Sequence, residues 1–278
     1  IKMNFSNNKN FISYIIIILF SIFLSVAYSI EQRAVDDGLI LSNTILYPEH
    51  HNIMQIFSNN VWTFLFQFTG TLLKLDFSIM SISRIILFLS TFFYSMGIYL
   101  VSKSITSSSI ISLFICFVVI IFQKSFGSID YPTMIFSEHT NGMMSLAIVT
   151  LIFGLVANKN LLLAIFFSIF LICIHLTVGM WIASVLILSL FISKFVNKNN
   201  FEIKPIIYSA LFAFFFVIVS FIFYYLNLVE LNNKLDASAY STYMQVWDMH
   251  RNNFESSILN YKYIVLSLLL IFLILFSF

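Results

Sequence analysis

Long apolar runs separated by shorter polar intervals organise the whole chain. Runs at 11–29, 84–102, 107–123, 142–157, 161–176, 178–193, 205–226 and 262–278 carry almost no charge. A helix needs roughly 20 apolar residues to cross the hydrocarbon core. Backbone groups in lipid find no water to bond, so a run that crosses must be helical. The pattern therefore predicts an all-α fold, a polytopic transmembrane helix bundle of about eight spans. Residues 161–193 form one uncharged stretch, too long for a single span, and a break is expected at Thr177–Gly179.

The two ends of the chain need separate reading. Lys2 and Lys9 precede the first run and "AYS" at 27–29 follows its core, as in a signal peptide. Signal cores are shorter, roughly 7–15 residues, so the run reads better as an uncleaved anchor. The last run reaches the final residue and the first residue is Ile, so residues 1–278 read as a single transmembrane domain truncated at its C-terminus.

Composition agrees with a lipid environment. Of 278 residues 60% are hydrophobic and 9% charged, against about a quarter charged in soluble domains. A net charge of +2 gives nucleic acid nothing to bind as a basic patch. Cys116 and Cys173 lie inside apolar runs and are expected as packed thiols. The chain has no phosphate-cradling GxxxxGK[ST] loop, no GxGxxG, no GxSxG elbow, and neither HExxH nor CxxC. ATP-driven transport and dinucleotide chemistry therefore have no basis in it.

Charge asymmetry sets an orientation. With the N-terminus in the cytoplasm, Lys2, Lys9, Lys103, Lys159, Lys194, Lys198 and Lys204 fall inside, with Glu202 as the one acid. All five histidines and the other acids then lie outside. The expected location is a bacterial inner membrane with the working loops on the periplasmic side. Those loops are 30–83, 123–142 and 227–261. The first contains "NNVWTFLFQFTGTLLKLDFSI", an apolar stretch broken by Gly70, Lys74 and Asp76 that suits an interfacial helix better than a span.

Within these loops the groups able to do chemistry cluster. "AVDDGLILSNTILYPEHHN", 34–52, holds Asp36, Asp37, Glu49, His50 and His51. The last three are candidate ligands for zinc or manganese, since imidazole and carboxylate suit both, although adjacent loop histidines are a weak signal. "SIDYPTMIFSEHTNG" supplies Asp130, Glu138 and His139, and "WDMHR" supplies Trp247, His250 and Arg251. His175, near the outer end of a span, is an ionisable residue at membrane depth and so a functional candidate. For each acid the plainer reading is a solvated charge that keeps a loop out of lipid, and Asp76, Glu230 and Asp236 are read that way alone.

This layout resembles the GT-C superfamily of membrane glycosyltransferases: a first helix starting in the cytoplasm, a long first outer loop with "EQRAVDDG" just past the membrane, then a second outer loop with acids. The likeness covers roughly residues 1 to 195. It implies a polyprenyl-phosphate-linked sugar as donor and an outer-side reaction. It also implies a catalytic base or metal-holding acid at Asp36 or Asp37 and a second acid at Asp130 or Glu138. The cofactor is left open by the sequence, with a divalent cation as the candidate.

The chemistry can be argued separately. Sugar transfer from a lipid phosphate needs a base for the acceptor hydroxyl and cations for the leaving phosphate. Asp36 or Asp37 could be the base. His250 and Arg251 could meet the phosphate, with the planar guanidinium better suited, while Trp247 could stack on a sugar face. His51, His139 and His175 complete the substrate-binding candidates. The bilayer and the polyprenyl-linked sugar are the expected partners, with no nucleic acid. The competing reading is a non-catalytic polytopic protein, such as a polysaccharide flippase, a polymerase-like component or a transporter, whose outer acids only line a polar vestibule.

Overall fold

The computed structural model describes residues 5–28, 36–42, 44, 63–122, 141–195, 201–226, 268 and 271–272. Among these residues the regular structure is helical throughout, with no strand. In chain order the helices are α1 (Phe5–Tyr28), α2 (Asp36–Leu41), α3 (Phe64–Lys74), α4 (Ile79–Thr106), α5 (Ser109–Ile121), α6 (Asn141–Ala157), α7 (Leu161–Ile174), α8 (Leu176–Phe195) and α9 (Ile203–Leu226). Four are long and apolar enough to cross a membrane: α1 from Asn10 onward, α4, α8 and α9. They make this a membrane protein. The predicted spans 107–123, 142–157 and 161–176 fall on shorter apolar helices, α5, α6 and α7, of 13, 17 and 14 residues. The span predicted at 262–278 lies outside the described residues apart from Leu268, Ile271 and Phe272.

Local chemistry explains the helix starts. The Ser78 hydroxyl accepts from Ser81 N–H at 3.2 Å, Ser108 from Ile111 N–H at 3.4 Å, and the Asn160 side chain from Leu163 N–H at 3.4 Å. Each satisfies a donor that the first turn leaves without a carbonyl. α9 starts at Ile203 and carries Pro205 in its first turn, where a missing N–H costs nothing. The break between α7 and α8 falls at His175, not at Thr177–Gly179. His175 is extended (φ −148°, ψ 102°), its N–H donates to Leu171 O at 2.8 Å, and its carbonyl accepts from Gly179 N–H at 2.8 Å. Gly179 serves close packing: a Cβ there would stand 2.6 Å from the Leu171 carbonyl carbon.

Packing is organised around α4, which α1, α5 and α6 contact; α6 then meets α7, and α7 carries α8 and α9. The closest crossing is α4 on α6. A Cβ at Gly97 would lie 2.5 Å from the Thr150 carbonyl oxygen, and one at Gly154 would lie 2.7 Å from the Gly97 oxygen. Small residues let two backbones touch, which is how helices associate where lipid offers no hydrophobic drive. Several buried hydroxyls at these contacts donate to carbonyls of their own helix. Ser90 donates to Ile86 O at 2.9 Å, Thr91 to Leu87 O at 2.7 Å and Ser189 to Val185 O at 2.7 Å. Cys116 and Cys173 are free and buried.

Side-chain bonds between helices gather four of the described lysines at one end of the bundle. Asn10, near the start of α1, accepts from Lys103 at the end of α4 and from Ser109 at the start of α5. Asn158, past the end of α6, donates to Leu100 O on α4 at 2.7 Å. Ser209, early in α9, donates to Leu162 O at the start of α7 at 2.6 Å, and Lys194 at the end of α8 donates to Phe201 O at 3.0 Å. Lys103, Lys159, Lys194 and Lys204 thus share one end. His175 and the start of α4 belong to the opposite one.

Candidate functional site

The carboxylate pair opens a short helix, and that helix is docked. α2 begins at Asp36–Asp37 and packs on α3. Contact is through glycine: a Cβ at Gly38 would run into the Thr69 hydroxyl and lie 3.1 Å from Gly70 N, while one at Gly70 would lie 3.1 Å from Leu41 Cβ. Backbone thus meets backbone across "DDGLIL" and "TG", a fit that any side chain at 38 would wedge open. Ser42 N–H donates to Gly38 O at 2.9 Å and closes the end of α2.

α3 is itself anchored. It is 11 residues long, too short to span, and buries Leu65, Gln67, Thr69 and Gly70. Phe64 meets Phe170 of α7 edge-on, with centroids 5.7 Å apart. Gln67 Nε2 donates to the Ser220 carbonyl of α9 at 2.9 Å. An amide buried among apolar helices is costly without a partner, so this bond ties α3 to the bundle. The contacts at Phe170 and Ser220 lie near the ends of α7 and α9 away from the lysines. α3 closes with Asp76 in the left-handed region (φ 62°) and Phe77 N–H on Leu72 O at 3.1 Å. Asp76 is exposed, as a surface charge would be.

His175 belongs to the same end, as the joint between α7 and α8. Its Nδ1 accepts from Val178 N–H at 3.5 Å, capping the first turn of α8. A ring nitrogen that accepts carries no proton, so this arrangement uses the imidazole as a structural acceptor.

The described structure thus places the Asp36–Asp37 helix on α3, and α3 on α7 and α9. Asp130, Glu138 and His139, the Glu49, His50 and His51 group, and Trp247, His250 and Arg251 all lie outside the described residues. Among the described residues no group of three or more His, Cys, Asp or Glu side chains could hold a metal ion. In the sequence Gly70 reads only as an interruption of an apolar stretch, and Gln67 only as one of the polar residues that suit an interfacial helix. The available signal was physical: an amide inside an apolar helix must find a buried partner, and a glycine there marks close approach. No protein-family model, curated protein or solved structure matches the chain.

Proposed function

We propose that this chain is a membrane glycosyltransferase of the GT-C kind, moving a sugar from a polyprenyl-phosphate carrier on the periplasmic side of a bacterial inner membrane. Its N-terminus and the lysine end face the cytoplasm, and α3 lies near the outer interface. The observation that supports the reading is the docking of α2. A loop acid that served only to keep the chain in water would need no fixed seat. The glycine contact of Gly38 with Thr69 and Gly70 gives the Asp36–Asp37 helix one. Catalytic groups must be held close to productive geometry by rigid support. Asp36 or Asp37 takes the acceptor proton, Asp130 or Glu138 is the second acid, and Arg251 with His250 meets the donor phosphate.

The test is transfer of a labelled sugar from its polyprenyl-phosphate carrier in membranes holding the full chain. Asp36→Asn or Asp37→Asn should lower transfer by roughly 100-fold or more, the usual weight of a general base, at unchanged protein level. Full transfer by both single variants and the double variant would overturn the catalytic reading in favour of a passive vestibule. Orientation is read separately with an impermeant thiol reagent. Cysteine at Asn52 should label from outside and cysteine at Lys159 should not, against a background in which Cys116 and Cys173 are buried.

A further inference from the structure

Two half-buried lysines at the lysine end are held in the same way on opposite flanks of the bundle. Lys103, in the last turn of α4, donates to the Asn10 side chain and stands 5.7 Å from the Tyr99 ring centroid. Lys194, in the last turn of α8, donates to the Phe201 carbonyl at 3.0 Å and stands 5.3 Å from that residue's ring centroid. Among the described residues neither ammonium has a carboxylate partner, and each is partly withdrawn from water. Close to each in the chain are large exposed apolar side chains: Ile105 (78% exposed) and, at the start of α5, Ile110 (75%) for Lys103, and Phe191 (56%), one helical turn before Lys194, with Phe195 (62%) for Lys194.

Charge at a helix end with an apolar flank directly beside it is the complement of a phospholipid. A phosphodiester can neutralise the ammonium while its acyl chains cover the exposed Ile or Phe side chains. The membrane depth is also right, since both lysines sit at the ends of helices long enough to span. We propose that Lys103 and Lys194 each form a seat for the headgroup of an anionic phospholipid, with the ring and the neutral acceptor fixing the ammonium in place. This inference does not depend on the glycosyltransferase reading. Exposed Lys204 shares the lysine end but has no ring or bonded acceptor among the described residues, and it serves as the internal control.

The full chain is placed in nanodiscs of phosphatidylcholine with phosphatidylglycerol, and the lipids retained after release are counted by native mass spectrometry. Wild type should retain phosphatidylglycerol over phosphatidylcholine. Lys103→Gln and Lys194→Gln should each weaken that preference about fivefold, the equivalent of about 1 kcal/mol for one basic charge at an anionic surface. Lys→Arg at either position should keep it, which separates loss of a seat from loss of fold. Lys204→Gln should leave it unchanged, and inorganic phosphate should not displace the lipid. Equal retention of both lipids by wild type would overturn the proposal. So would unchanged retention in both Gln variants, an equal loss on Lys204→Gln, or displacement by free phosphate.

Discussion

α4 and α9 are both apolar helices long enough to cross a membrane, yet they meet opposite surroundings. Half of the apolar stretch of α4 is buried, 50%, against 11% for α9. α9 is the more hydrophobic of the two and the less buried. In water that ordering would be paradoxical. In lipid it follows, because tails are as apolar as a protein core and hydrophobicity gives no reason to leave them. Packing is instead driven where small side chains, many of them hydroxyls, let backbones approach closely. α4 buries Ser83, Ser90, Thr91, Ser95, Gly97 and Ser102; α9 buries only Ala213 and Ser220. Small and weakly polar side chains mark the protein-facing helix.

The largest effect should come from filling the α4–α6 contact. Gly97→Leu would drive a side chain into the Thr150 carbonyl and the Leu151 nitrogen, which are backbone atoms and cannot rotate away. A loss of about 3 kcal/mol or more is expected, at the upper end for overpacking. Unfolding by SDS titration from mixed micelles would measure it, with Gly97→Ala losing less. A Gly97→Leu protein as stable as wild type would mean that α4 and α6 do not touch there.

This contrast also separates what could be read from residue order from what could not. The described apolar runs become helices because lipid leaves the backbone no alternative, so their positions were legible to within a few residues. His175 moved the expected break by two residues because its own backbone and ring cap both neighbouring helices. The gathering of Lys103, Lys159, Lys194 and Lys204 at one end was legible too, because alternating helix direction sends every second polar interval to the same side. Burial was not. Nothing in the apolar runs told lipid from protein, and the one usable cue, Gly97 with Thr150 and Gly154, needs a partner helix before it means anything. At the candidate site Asp36 and Asp37 were legible as a pair, but their seat depends on Gly38 meeting Gly70, 32 residues further along the chain. Local pattern does not record such a pairing.

A middle-sized effect should come from the polar tie that holds α3. Gln67→Leu keeps volume but removes the donor to Ser220 O. That carbonyl sits in a helix ladder, so the loss should be about 1 kcal/mol, typical of an interhelical bond in membranes. The same SDS titration reads it, and protease or label access to the 63–77 region should rise with it. No change would mean that packing of Phe64 on Phe170 alone seats α3, and would weaken the link between polarity and packing drawn from α4.

A smaller gain should follow at the end of α4. Ser107 holds φ 55° as the C-cap, and its N–H bonds Lys103 O at 2.9 Å. An L-residue pays for the left-handed conformation, while glycine does not. Ser107→Gly should therefore stabilise by about 0.5–1 kcal/mol. A loss instead would mean that the exposed hydroxyl makes a contact worth more than the relief of the backbone.

The smallest effect tests the bare face of α9 directly. Phe214 is 50% exposed. In a soluble core, cutting Phe to Ala costs about 3–5 kcal/mol because apolar surface returns to water and a cavity remains. Neither happens on a helix face that lipid covers in both the folded and the unfolded membrane state: acyl chains fill the space, and the apolar area lost is lost equally from both. Phe214→Ala should therefore shift stability by less than about 0.5 kcal/mol, like a surface change. The SDS titration that registers Gly97→Leu should barely register it. A loss above about 2 kcal/mol would have to come from contacts made only in the folded state. The face of α9 would then be covered by protein, and the rule that hydrophobic helices face lipid while small polar ones face protein would fail at the helix that best illustrates it.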